Sequence, residues 1–251
     1  MGKVVIFFVC CVESVEIKQR DINPVNAERD GIDTVIRCFL GVAAAGSKNS
    51  AHGGNKQRKK LLRQSHVYDH NLCSTKVSFR LNQKKSVEEL FALAEQKLAM
   101  ESTQVILILD MDSIIKDHQE FERFRVYYEK YQKSTQGTLT PREKAKYGWM
   151  KSLVLIVNTP CLEFWYLLHF SNTRVFFPDF STMEATLRKL PGLEEYDKSE
   201  GYYKKSPNIY DRLGREEGIL IARKNAIPFS LEEAKSKGIS EMNKFFDFFE
   251  K

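Results

Sequence analysis

No run of apolar residues in this chain approaches the ~18 needed to cross a bilayer, so nothing in it reads as a membrane span. The five cysteines, Cys10, Cys11, Cys38, Cys73 and Cys161, are odd in number, irregular in spacing and form no CxxC pair. That argues against a disulfide framework and a zinc knuckle, and makes a reducing, cytoplasmic setting the expectation. There is no GxxxxGK[ST] loop, so the chain has no ATPase site of its own, and any ATPase is a separate partner protein. No internal repeat is visible. Charge of one sign is not abundant either: a net charge of +6 over 251 residues is a mild lean toward polyanions.

What is present is the composition of a globular protein, 42% hydrophobic and 29% charged. Residues 4–12, VVIFFVCCV, are an unbroken apolar run rich in β-branched and aromatic residues. Glu13 follows at once and no small-residue cleavage site is present, so the run reads as a buried first strand rather than a signal sequence. Two further runs, 104–109 and 153–157, read the same way. Between them lie helical patterns. Ser86 and Glu89 form a capping box ahead of Val87, Leu90, Phe91, Ala94 and Leu98. Phe121, Phe124, Tyr128 and Tyr131 mark a second helix, broken from Ser134 to Pro141, and Ile239, Met242, Phe245, Phe246 and Phe249 mark a last one. The alternation predicts an α/β fold with a mainly parallel central sheet flanked by helices and a helical C-terminal part, in one domain spanning 1–251. Residues 20–85 read as a divergent, insert-like region. Within it, Ile32–Val42 suggests a helix, 43–60 a basic surface loop, and 75–81 a strand exposed on one face.

Three carboxylates stand where chemistry is expected. Glu13 follows the first apolar run, and Asp110 and Asp112 follow the second. Ligand sites in open parallel sheets form outside the carboxyl ends of the strands. Acids gathered there repel one another, and a hard cation such as Mg²⁺ or Mn²⁺ relieves that repulsion and leaves room for phosphate oxygens. Asp-x-Asp after a strand is also a common turn, so the spacing alone leaves both readings open. Glu163, set among apolar neighbours after the third run, needs a partner: a metal, or a Lys or Arg in a structural ion pair. His169 is a phosphate contact or a core histidine, and Cys161 a nucleophile or a small buried apolar group. The basic run holding Lys56, Arg58, Lys59, Lys60 and Arg63 tracks a nucleic-acid backbone or is a solvated face, and Lys204 and Lys205 hold a phosphate or are surface lysines.

A glutamate after the first strand and Asp-x-Asp after a later one resemble the Toprim arrangement of topoisomerases, primases and OLD-type nucleases. Ser14 stands where that pattern usually has glycine, with Glu16 following. Downstream, Asn158-Thr159-Pro160-Cys161-Leu162-Glu163-Phe164-Trp165 and Leu167-Leu168-His169-Phe170 resemble the RloB signature, approximately S-N-P-C-F-E-x-W-L-L-H-F. Tyr203-Lys204-Lys205 and Ala222-Arg223-Lys224-Asn225-Ala226 resemble later segments of that family. The resemblance implies a Toprim-like core and a role in phage defence or abortive infection. Its implied activity is a metal-dependent nuclease acting on DNA or RNA, with Glu13, Asp110 and Asp112 as metal ligands and Glu163 and Lys205 as further catalytic candidates. The alternatives are a Toprim-like module that binds nucleic acid or protein without cutting, and a small-nucleotide phosphotransferase.

Overall fold

The computed structural model describes residues 3–9, 13–18, 76–81, 85–100, 103–198, 202 and 205–249, the first three segments through their backbone only. Among them six strands form one sheet: β1 (Lys3–Val9), β2 (Glu13–Lys18), β3 (Lys76–Leu81), β4 (Thr103–Asp110), β5 (Leu153–Thr159) and β6 (Ile239–Ser240). Their spatial order is β3-β2-β1-β4-β5-β6. The three apolar runs seen in the sequence are therefore neighbours. They are also mutually parallel, with Val9 opposite Leu109 and Leu109 opposite Val157. Both flanks are antiparallel, with β2 and β3 on one side and β6 on the other, so the parallel part is the centre alone.

Two boundaries differ from the sequence reading. Strand β1 is described to Val9, residues 10–12 lying outside the described residues, and Glu13, expected just past the first strand, opens the returning strand β2, opposite Leu81. Ile239, assigned above to the last helix, lies instead in β6, opposite Thr159, and the helix starts four residues later. The spacing of Ile239, Met242 and Phe246 fits a helix, but Ile239 and Ser240 pair with the edge of β5 and take extended backbone there. The insert-like region apart from β3, including the expected helix at 32–42 and loop at 43–60, lies outside the described residues.

The helices are punctuated by their caps. Helix α1 (Val87–Leu98) starts on the expected capping box: Ser86 Oγ accepts the Glu89 N–H at 3.3 Å, and Glu89 Oε2 accepts the Ser86 N–H at 2.7 Å. A short helix α2 (Asp112–Lys116) precedes α3 (His118–Gln136), which Asp117 caps and Gly137 ends in the left-handed region at φ 73°. The helix thus runs two residues past Ser134, where the sequence pattern breaks. After α4 (Pro141–Tyr147) and β5 come α5 (Glu163–Leu168), α6 (Phe180–Leu187), α7 (Ile209–Arg212), α8 (Arg215–Asn225) and α9 (Asn243–Phe249). No helix among the described residues is long and apolar enough to cross a membrane.

Strand alternation sorts the core into two layers, one on each face of the sheet. Ile106, Ile108 and Ile156 pack on one face with α5, α6 and α9. Val105, Leu107, Leu109, Leu155 and Val157 pack on the other with α1 and α3. Burial on both faces explains why these strands read as continuous apolar runs, each fully covered Leu or Ile contributing about 2 kcal/mol.

Candidate functional site

Asp110 is the last residue of β4, opposite Asn158 on β5, and only 4% exposed. The loop after β4 is held from the side by the loop after β5. The Met111 N–H donates to the carbonyls of Asn158 and Pro160, and the Asp112 N–H donates to Pro160, all at 2.9 Å. Asp112 then opens α2, its Oδ1 accepting the Ser113 N–H at 2.6 Å. Burial raises its carboxyl above the usual aspartate range. The hydrogen bond from Ser113 and the charges of Lys198 and Lys116 oppose that shift, and the charge of Glu163 adds to it. Asp112 and Glu163 are therefore close enough to feel one another.

Glu163 is the first residue of α5 and is 6% exposed. A carboxylate so placed needs compensation. Its Oε1 receives the Lys198 ammonium at 2.7 Å and the Tyr196 hydroxyl at 3.1 Å. Beside it, Cys161 is buried. Burial pushes its thiol well up, the charges of Glu163 and Asp110 reinforce this, and Lys198 partly offsets it. Asp110 ends β4, Asp112 follows two residues later and Glu163 opens the helix after β5, so all three stand at or just after the carboxyl ends of two adjacent parallel strands, and Lys198 pairs with Glu163. Three buried polar atoms of the β5–α5 segment, Asn158 Nδ2, Thr159 Oγ1 and Glu163 Oε2, have no hydrogen-bond partner among the described residues. Unsatisfied buried polar atoms are uncommon and are frequent markers of bound water, ions or ligands.

The remaining candidates fall elsewhere. Glu13 has its backbone at the start of β2, one residue beyond the Ser14–Phe7 pairing; its side chain, and with it the expected three-acid geometry, lies outside the described residues. Among the described residues no group of three or more His, Cys, Asp and Glu is placed to hold a metal ion. His169 is 5% exposed, its Nδ1 2.9 Å from the Trp165 carbonyl and its ring edge-on to Trp165. Lys205 is half exposed and pairs with Glu195 at 2.9 Å. Lys204, and Lys56, Arg58, Lys59, Lys60 and Arg63, lie outside the described residues.

Sequence reasoning missed Lys198 and Tyr196. Both sit in an irregular stretch between α6 and α7, with no periodicity to single them out. The available signal was the demand that a buried Glu163 have a cationic partner, which names no position. It also missed Glu241, 1% exposed, whose carboxylate accepts the N–H groups of Val157 at 3.2 Å and Phe229 at 2.9 Å and pairs with Lys244 at 2.8 Å.

Comparison with curated proteins returns no match, and comparison with solved structures returns none either. A family model does match: that of the RloB-like protein family, over residues 49–246, which takes in β4, β5, Asp110, Asp112, Glu163 and Lys198. On that match, which covers most of its length, the chain belongs to the RloB-like protein family.

Proposed function

We propose that this chain is a metal-dependent nuclease with a Toprim-like core that cleaves phosphodiesters of DNA or RNA in phage defence. The observation that carries the reading is the placing of Asp110, Asp112 and Glu163 at or just after the carboxyl ends of the adjacent parallel strands β4 and β5, with buried polar atoms of the β5–α5 segment that lack partners among the described residues. The parallel order β1-β4-β5 supports the Toprim-like part, since it sets the end of β1 next to the same place.

The carboxylate oxygens of Asp110 and Asp112 are donors of the kind a hard divalent ion takes, and burial destabilises the charged form of Asp112. Asp110 and Asp112, with Glu13 as the third ligand, would hold Mg²⁺ or Mn²⁺. When bound, the ion supplies water activation and charge stabilisation at a phosphodiester. The chain's own residues do the rest. Pro160 fixes the Asp112 backbone, Lys198 and Tyr196 fix Glu163, and the two core layers under the loops keep water from the acids' inner side. The basic segment around Lys56–Arg63 would follow the nucleic-acid backbone, with Lys204 and Lys205 as further phosphate contacts.

The test incubates the purified chain with duplex DNA, single-stranded DNA and RNA in Mg²⁺, Mn²⁺ or EDTA, alongside Asp110→Asn. Cleavage confined to the divalent ions and absent from the variant is expected. Cleavage that persists in EDTA or in Asp110→Asn removes the reading. Retention of nucleic acid without cleavage in any buffer favours a binding module, and phosphate transfer between nucleotides favours a phosphotransferase.

A further inference from the structure

The lean of this chain toward positive charge is local. Residues 130–152 hold six lysines and arginines against the single acid Glu143, a net charge of +5, where the whole chain carries +6. They form the end of α3, the helix α4 and a 3₁₀ turn, Gly148–Ser152, that leads into β5. Helix α4 buries none of its residues, so apolar packing does not account for what it displays. It stands on α3 through polar ties. Ser134 Oγ donates to the Tyr147 carbonyl at 3.2 Å, and Lys130 reaches Glu143 Oε1 at 2.5 Å. Glu143 Oε2 accepts the Thr140 N–H at 3.0 Å, closing the capping box at the start of α4. The one acid is thus engaged through both oxygens. Lys133, Arg142, Lys144, Lys146 and Lys151 are exposed, and among the described residues they form no salt bridge. The ammonium nitrogens of Lys146 and Lys130 lie 5.2 and 6.0 Å from the centroid of the half-buried Tyr147 ring.

A surface whose lysines serve solvation alone intersperses them with acids. Here five cations without counter-acids share one corner of the fold, which favours a polyanionic partner. We propose that this corner, with Arg142, Lys144 and Lys146 on α4 and Lys133 and Lys151 beside them, is a docking surface for the phosphate backbone of a nucleic acid. Two other kinds of partner fit it less well. An anionic membrane holds such cations together with exposed apolar side chains that enter the lipid. A protein interface has an apolar core from which lysine is depleted. The exposed large hydrophobics among the described residues are Met100, Val126, Val175, Leu220 and Ile221, and none lies in residues 130–152. Phosphate contacts need no apolar core and carry no sequence preference.

The surface stands at the far end of the sheet from the acids. Strand β5 starts at Leu153, directly after the turn, and runs seven residues to the end that Glu163 follows. At about 3.3 Å per residue that places the surface roughly 20 Å away. It therefore holds a flank of the nucleic acid and not the bond to be cut. This last step deepens the nuclease reading and rests on it, whereas the binding itself does not.

The experiment measures binding of labelled duplex DNA, single-stranded DNA and RNA to the full chain by fluorescence anisotropy, in EDTA and at rising KCl. The unaltered chain is compared with Lys144→Gln/Lys146→Gln and with Lys189→Gln/Lys224→Gln. Lys189 and Lys224 are exposed and lie outside the surface, so both double variants lose the same charge. Thermal midpoints close to that of the unaltered chain show that each variant is folded. The unaltered chain should bind at least one of the three polymers. Lys144→Gln/Lys146→Gln should bind it several-fold more weakly, with a slope of log affinity against log salt shallower by about one to two. Lys189→Gln/Lys224→Gln should bind like the unaltered chain. Equal weakening of the two variants means that bulk charge alone is at work and overturns the proposal. So does unchanged binding by Lys144→Gln/Lys146→Gln, or an unaltered chain that binds phosphatidylserine vesicles and none of the three polymers. If the chain also cuts in Mg²⁺, Lys144→Gln/Lys146→Gln should raise KM and leave kcat unchanged. Binding through the surface in EDTA with no cutting in any metal leaves the proposal standing and counts against the nuclease reading. Cutting with KM unchanged in Lys144→Gln/Lys146→Gln does the reverse.

Discussion

The Asp112 N–H donates to the Pro160 carbonyl at 2.9 Å, so the loop after one strand is positioned by the loop after its neighbour. The Asp112 backbone is thereby held where its carboxyl is partly withdrawn from water. The cost of that withdrawal is visible in the raised carboxyl of Asp112, where desolvation outweighs the Ser113 hydrogen bond and the charges of Lys198 and Lys116.

A raised acid holds its proton more tightly in the folded chain than in the unfolded one, so its ionisation destabilises the fold as pH climbs through the raised value. Asp112→Asn is expected to raise the unfolding midpoint at neutral pH in EDTA. The gain should vanish once pH falls below the ordinary aspartate value of 3.8, where both folded and unfolded chains carry the proton. Melts at about pH 7 and about pH 3 check this, and a variant that gains nothing at the higher pH contradicts it.

His169 shows the opposite sign. Burial pushes its imidazole from 6.5 down to about 4, against a weaker opposing effect of the hydrogen bond to Trp165. The fold favours the neutral ring, so the contribution is complete above 6.5, shrinks as pH falls and is gone below about 4. The whole span is worth on the order of 3 kcal/mol. Urea midpoints across that range should fall for the unaltered chain and fall less for His169→Gln.

Glu241 holds two buried backbone N–H groups, those of Val157 on β5 and Phe229. Glu241→Ala strands both, at a cost of about 2–5 kcal/mol, whereas Glu241→Gln keeps one acceptor and loses less. Denaturant titration that ranks the two variants equally would count against the clamp.

Gly218, inside α8, leaves no room for a side chain. A Cβ there would stand 1.7 Å from the Leu213 carbonyl oxygen and 3.1 Å from His169 Cδ2. Gly218→Ala should lower the melting midpoint, costing more than about 1 kcal/mol, although alanine is the better helix former. A raised midpoint would mean that the backbone at Leu213 yields.

The centre of the fold was legible because β4 and β5 are covered on both faces, which writes them as continuous apolar runs. The same property hid the start of β2: the apolar run continues to Val12, so no residue announced that Glu13 belongs to a returning strand. Strand β6 was hidden for another reason. Two residues are too few for alternation, and Ile239 fell by chance on the helical spacing of the phenylalanines that follow. In the site, Asp110, Asp112 and Glu163 could be read from strand ends and from the cost of burying a carboxylate. Lys198 and Tyr196 could not, because their relation to Glu163 spans more than thirty residues of chain and follows no period.

Strand β6 closes the free edge of β5 at Asn158 and Thr159, and Ser240 Oγ donates to Asn158 Oδ1 at 2.6 Å. The residues that finish this edge are translated some eighty positions after the strand they complete. A ribosome therefore releases Asp110, Asp112 and Glu163 well before their supporting edge exists. During synthesis the acids are present but unbraced, and a message cut short ahead of residue 239 yields a chain with the chemical groups and without the frame that aligns them.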